Sequence, residues 1–257
     1  MLKLFEILSG VVSTRKKFDV KKLPSQGLFY KDDFSIHIKK ADIKDIIIYE
    51  QNYIKDDLGV IINQIKKIVK NNTYFSNDYI FDDLKSVDVI FLFLEIVKFT
   101  NNKSIEINYL DDETGASETI EFKTEYFNYH KITELISNNY DKNNKQFIID
   151  GYQFTLPSIG VENCLTNFLI NKNNQPGSSK YNNYNYDFTY FLGDKNKVTF
   201  SEIENLIQIF NFDLDKIEKE KVKKIIDTFQ PLQKYSLVKN NKIIDINSKI
   251  DLEKIWK

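Results

Sequence analysis

The chain predicts an α+β fold, with helical pairs packed around small antiparallel sheets and hairpins, and three observations carry that expectation. Apolar and polar residues alternate over Phe34–Lys39 and again over Ile105–Tyr109, the period of a half-buried strand. From about Asp57 to Val69 the apolar residues instead recur with the period of an amphipathic helix. Turn signals such as Asp150-Gly151 join runs that are close in sequence, as antiparallel hairpins require. With 42% hydrophobic residues in 257, the chain can bury a sizeable core.

Taken in order, residues 1–22 read as an apolar tip followed by a basic connector carrying Arg15, Lys16, Lys17, Lys21 and Lys22. A segment of this kind is either a solvated tail or an arm that inserts into a neighbour. A main α+β domain is expected over 23–170. It opens on Leu23-Pro24-Ser25-Gln26-Gly27-Leu28-Phe29-Tyr30, where Pro24 fixes one backbone angle and Gly27 can take the positive φ of a turn. A helix capped near Asp42 follows, carrying Ile43, Ile46 and Ile47. The next places Leu58, Ile61, Ile62, Ile65, Ile68 and Val69 on one side.

Asp83 or Ser86 is expected to cap the most apolar helix, whose run Val89–Leu94 needs cover on several sides. The segment Val87–Val97 is too short to span a bilayer and contains Asp88 and Glu95, so a buried helix is expected. Hairpins are expected at Ile105–Phe122 and Gln146–Leu156, then a helix over Asn163–Ile170 with Cys164, Leu165, Phe168 and Leu169 inward. An Asn/Tyr-rich loop or linker spans 171–187. A mainly helical region covers 188–257, with Thr199 and Glu202 spaced as a capping box and Asp213 or Asp215 opening a further helix.

Charge narrows the function classes. The formal net charge is −1, and Arg15 is the sole arginine among 36 cations, so a general attraction to nucleic acid or anionic membrane is not expected. The basic connector and Tyr181, Tyr184 and Tyr186 offer at most weak, salt-sensitive nucleic-acid binding. One cysteine, Cys164, precludes an internal disulfide and agrees with a reducing compartment. The apolar-before-basic start makes a poor secretory signal.

No catalytic, cofactor-binding or metal-ligating set emerges. Two histidines, His37 and His130, and one cysteine cannot build a Cys/His zinc site. The runs Asp56-Asp57, Asp82-Asp83 and Asp111-Asp112-Glu113 lack calcium-loop spacing, and neighbouring carboxylates on a helix diverge. Cys164 sits among Val161, Leu165 and Phe168, the setting of an inert core thiol. Neither a phosphate-binding glycine loop nor a nucleophile elbow occurs.

Four stretches, taken in sequence, resemble the T-even-type bacteriophage baseplate hub protein family. They are Leu23–Tyr30 with the strand that follows, Asp88–Val97 leading into the hairpin from Ile105, Gly151–Gly160, and Glu202–Tyr235 with its Phe229-Gln230-Pro231-Leu232 close. Together they span about four fifths of the chain. Some members carry a Cys-Pro-x-Cys-Gly turn in the hairpin. Here Leu110–Ser117 keeps only a glycine-bearing turn, so no zinc role carries over.

The resemblance implies a non-enzymatic component of a contractile-tail baseplate or hub, or an assembly factor that leaves before the virion matures. A peptidoglycan-cleaving enzyme is the enzymatic rival. The implied partners are other baseplate or hub proteins, with self-association as a further option. The implied location is the host cytoplasm during assembly and then the virion tail. Under this expectation Leu4, Phe5, Leu8, Phe29, Tyr30, Tyr181, Tyr184 and Tyr186 are the candidate partner-binding residues, since large side chains with few rotatable bonds suit interfaces.

Overall fold

In the computed structural model, residues 15–53, 58–102, 105–110, 114–121, 138–149, 151–173, 198–209, 213, 215–229, 236–239, 242–245, 250–251 and 256 are described. Strand β1 (Arg15–Phe18) pairs antiparallel with β2 (Ile36–Lys39), which pairs antiparallel with β3 (Thr73–Phe75). Ile36 and Ile38 of β2 are buried, while His37 and Lys39 are half-buried, the alternation that the sequence predicts. The connector expected at the N-terminal end thus supplies a strand of the first sheet over Arg15–Phe18.

Helices α1 (Ile43–Tyr53) and α2 (Leu58–Asn72) lie between β2 and β3 in sequence. Asp42 opens α1 by accepting the Lys44 N–H on its carboxylate at 3.1 Å. The Asp45 carboxylate then accepts from the amides of Asn71 and Asn72, both at 3.3 Å, and so ties α1 to the end of α2. Ile61, Ile65, Ile68 and Val69 of α2 face inward. Ile62, expected with them, is 41% exposed. It lies on the same helix face as Val69, one heptad earlier, so that face is covered at the Val69 end and open at Ile62.

Helix α3 (Val89–Asn101) is the centre of the larger core. Phe91, Leu92, Phe93, Leu94, Ile96 and Val97 are all fully buried, so this helix is covered on several sides. Phe91 meets Phe18 of β1, and Phe93 meets Tyr49 of α1 and Trp256 from the far end of the chain. Asn102 stops the helix in a left-handed conformation, φ 51°. Neither Asp83 nor Ser86 caps it. Asp83 closes its own short turn by accepting the Ile80 N–H at 2.7 Å, and Ser86 is spent on Pro157.

The two expected hairpins are present as β4 (Glu106–Leu110) with β5 (Ser117–Glu121), and β7 (Gln146–Ile149) with β8 (Tyr152–Phe154). Ile149 pairs with Tyr152, which leaves a two-residue turn with Gly151 at φ 83°. A short strand, β6 (Tyr140–Asp141), adds a third member beside β7.

Helix α4 (Ile159–Asn173) begins four residues earlier than the periodicity suggests. It packs on α5 (Phe200–Gln208) through a second cluster of Val161, Phe168, Val198, Ile203 and Ile207. Both halves of the Thr199–Glu202 capping box form. Asp215 caps α6 (Lys216–Phe229) by accepting the Glu218 N–H at 2.8 Å.

The region after α6 carries a hairpin, β9 (Ser236–Lys239) with β10 (Lys242–Asp245), and a strand β11 (Ile250–Asp251) that pairs with β4. The mainly helical C-terminal region expected from sequence therefore ends in strands, with β11 paired to β4 and Trp256 in the larger core cluster. The fold is mixed α+β, with helices and small antiparallel sheets.

Burial separates two substitutions sharply. Phe93→Ala should cost about 3–5 kcal/mol, because it leaves a cavity among Tyr49, Trp256 and α3 neighbours. Ile43→Ala, at a residue 66% exposed, should stay within about 0.5 kcal/mol. Urea unfolding curves check both, and equal midpoint shifts would displace α3 from the centre of the core.

Candidate functional site

The segment Leu23–Tyr30 folds as a run of tight turns. Gln26 N–H donates to the Leu23 carbonyl at 2.7 Å, and Leu28 N–H to the Ser25 carbonyl at 3.1 Å. Gln26 and Gly27 both adopt positive φ, 55° and 72°. Glycine is needed at 27, where a Cβ would also come within 3.4 Å of the Val20 side chain.

Each large residue of this turn has a different internal destination. Leu23 enters the larger core. Phe29, 1% exposed, packs against Phe147 of β7 with ring centroids 5.6 Å apart. Tyr140 of β6 donates its hydroxyl to the Leu28 carbonyl. Tyr30, 5% exposed, stacks on Phe34 with centroids 4.1 Å apart. The rings of Phe29 and Tyr30, expected as partner anchors, are thus committed to contacts within the chain. Leu4, Phe5, Leu8, Tyr181, Tyr184 and Tyr186 lie outside the described residues, as do His130 and the Asp111–Glu113 run.

The polar centre is Asp88, fully buried at the residue preceding α3. Its carboxylate accepts the Ser25 N–H at 2.9 Å and the Tyr30 hydroxyl at 2.6 Å. The Tyr30 oxygen in turn accepts the Lys85 N–H at 2.8 Å. The Lys85 ammonium, also buried, donates to Thr155 Oγ1 at 3.3 Å and lies 6.0 Å from the centre of the Phe29 ring. Backbone bonds continue the seam: Ser86 N–H to the Pro157 carbonyl at 3.1 Å, and Ile159 N–H to the Leu84 carbonyl at 2.8 Å. Three segments far apart in sequence are therefore joined through Leu84–Val89: Leu23–Tyr30 bonds its Asp88 carboxylate and Thr155–Ile159 bonds Leu84, Lys85 and Ser86.

Burial pushes the Asp88 carboxyl up to about 6, while the bonds from Tyr30 and Ser25 and the charge of Lys85 pull the other way. Burial, then the neighbouring Asp88 charge, raises the Tyr30 hydroxyl well above its ordinary range. The carboxylate is fully enclosed, and the bonds it accepts hold the Leu23–Tyr30 turn against the start of α3.

No family model, curated protein or solved structure matches the chain.

The surface around this clasp offers two adjoining shallow grooves that share Asp33. The Asp33 carboxylate is occupied by Asn77 at 2.9 Å and the Tyr79 hydroxyl at 3.1 Å. Neighbouring Asp32 pairs with Lys145 at 2.6 Å, a bond that holds its carboxyl below the usual range. Among the described residues no group of three His, Cys, Asp or Glu side chains is placed to hold a metal ion. Cys164 is a free, half-buried thiol on α4, and His37 is half-buried on β2. No helix among the described residues is long and apolar enough to cross a membrane.

The outer face of the first sheet is chemically distinct. Arg15 pairs in register with Lys39, Lys17 with His37, and His37 with Tyr74, so alternate positions of three strands share one face. The Arg15 guanidinium sits over the Tyr74 ring, 3.8 Å from its centre. Sequence periodicity does not single out this face, because Arg15–Phe18 has three cations in a row and no alternation of its own.

The raised carboxyl of Asp88 sets a direction for pH dependence. Its folded-state value, about 6, lies above the ordinary 3.8, so protonation favours the folded chain. The stability contributed is full below the ordinary carboxylate range and is lost as pH rises through about 6. Asp88→Asn should remove this component from the difference between the two stability profiles. Tyr30→Phe should cost about 1–3 kcal/mol, because the Lys85 N–H loses its acceptor. Urea midpoints across the acidic to neutral range test both, and parallel profiles for wild type and Asp88→Asn would count against a buried carboxyl.

Proposed function

We propose that this protein is a non-enzymatic component of a contractile phage tail baseplate or hub and acts through protein–protein interfaces. The observation that carries this reading is the clasp. Two of the stretches that resemble the baseplate hub family, distant in sequence, supply donors to Asp88 or the seam beside it, and a third supplies Asp88 itself.

The nature of the polar chemistry supports the same direction. Asp88, Tyr30 and Lys85 are satisfied by one another and by neighbouring segments, and water is shut out. Such groups specify how segments fit together. The Asp33 grooves are open, and the carboxylate they share is held by its own neighbours. The reading thus places function on surfaces.

The composition of purified particles tests this directly. Quantitative mass spectrometry should find the chain in mature tails at a fixed ratio to other baseplate proteins. Presence in immature hub complexes with absence from mature tails would assign it as an assembly factor. Absence from both would end the baseplate reading.

A further inference from the structure

We propose that the outer face of the first sheet, with the edge of β1 that carries no strand among the described residues, forms a docking site for an acidic, extended segment of a partner protein. The inference specifies one contact under the reading above.

The sheet order is β1-β2-β3, so β1 is an edge strand, and among the described residues it pairs with β2 alone. Its outward backbone groups are a template for one more strand. Arg15, Lys16 and Lys17 along it are all exposed, and Lys39 lies across from Arg15. None of these four cations has a carboxylate partner among the described residues. In a chain of formal net charge −1, such a concentration is local and directional.

Lysines on an edge strand commonly serve only to keep it from pairing with another molecule. The arginine asks for more than that. It is the sole arginine in the chain, and it is set over Tyr74, with the Lys39 ammonium 5.8 Å from the same ring. Contact with the ring positions the guanidinium at reduced entropic cost and leaves N–H groups for a carboxylate, which can take two parallel bonds.

The same contact argues against nucleic acid. A base needs the open face of an aromatic ring, and the guanidinium already covers a face of Tyr74. A peptide strand can use the β1 backbone and the cations together, whereas a phosphate chain uses the cations alone. Carboxylates gather at the Phe18 end, where Asp19, Asp32 and Asp33 line one groove with Lys17. Of these only Asp32 is ion-paired among the described residues, with Lys145, so the cationic character is concentrated at the Arg15–Lys39 end.

Fluorescence anisotropy with the full chain tests the proposal, using a labelled short peptide of alternating glutamate and threonine. A lysine–threonine peptide and oligothymidylate serve as comparisons. The acidic peptide should bind and weaken with added salt, the basic one should not bind, and oligothymidylate should bind less well. Arg15→Glu combined with Lys39→Glu should weaken the acidic peptide by about tenfold or more. Lys17→Glu should weaken it in the same direction and provides a milder variant. Amide hydrogen exchange over Arg15–Phe18 should slow when the peptide is bound. Tighter binding of oligothymidylate, unchanged binding by folded charge-reversed variants, or no slowing at β1 would each overturn the proposal. None of these results alters the particle-composition test, so the two readings fail separately.

Discussion

A single buried carboxylate sets the terms for the larger core. Asp88 sits where the apolar helix α3 begins, without contact with water, and an ionised carboxylate in such a place is costly unless donors surround it. The donors come from the Leu23–Tyr30 turn: one backbone N–H and one hydroxyl. The turn therefore cannot lie elsewhere without stranding a buried charge. Once it is in place, Leu23 is directed into the core and Phe29 toward β7, while Tyr30 is held between Asp88 and Phe34. Polar satisfaction fixes the arrangement, and apolar burial supplies most of the driving force.

The consequences reach the other sheets. Lys85, adjacent to the same node, fastens Thr155, and the backbone of Leu84 and Ser86 fastens Pro157 and Ile159. Ile159 is the first residue of α4, so the seam also fixes where that helix starts. Lys66 of α2 bonds Glu162 one turn later at 2.9 Å. The smaller cluster between α4 and α5 thus hangs from the larger core through the start of α4.

Much of the local structure was legible because it rests on short-range rules. The period of two at Phe34–Ile38, the two-residue turn before Tyr152 and the Thr199–Glu202 capping box all involve neighbours in sequence. What escaped depends on distant partners. Asp88 reads in sequence as a polar interruption of an apolar helix, and only the fold brings Ser25 and Tyr30 to it. Phe29 and Tyr30 look equally suited to an interface or a core, since ring size does not say which surface buries them. β1 is short and mostly cationic, so its strand character comes from pairing with β2 and not from its own pattern.

The account stands or falls on the seclusion of Asp88. A carbon-detected magnetic resonance titration of its side-chain carboxyl in the folded chain measures that directly. A midpoint near 6, well above the ordinary 3.8, is the predicted result. A midpoint at the ordinary value, together with a Ser25 amide that exchanges freely with water, would mean that the carboxylate meets water, and the clasp as described would not exist.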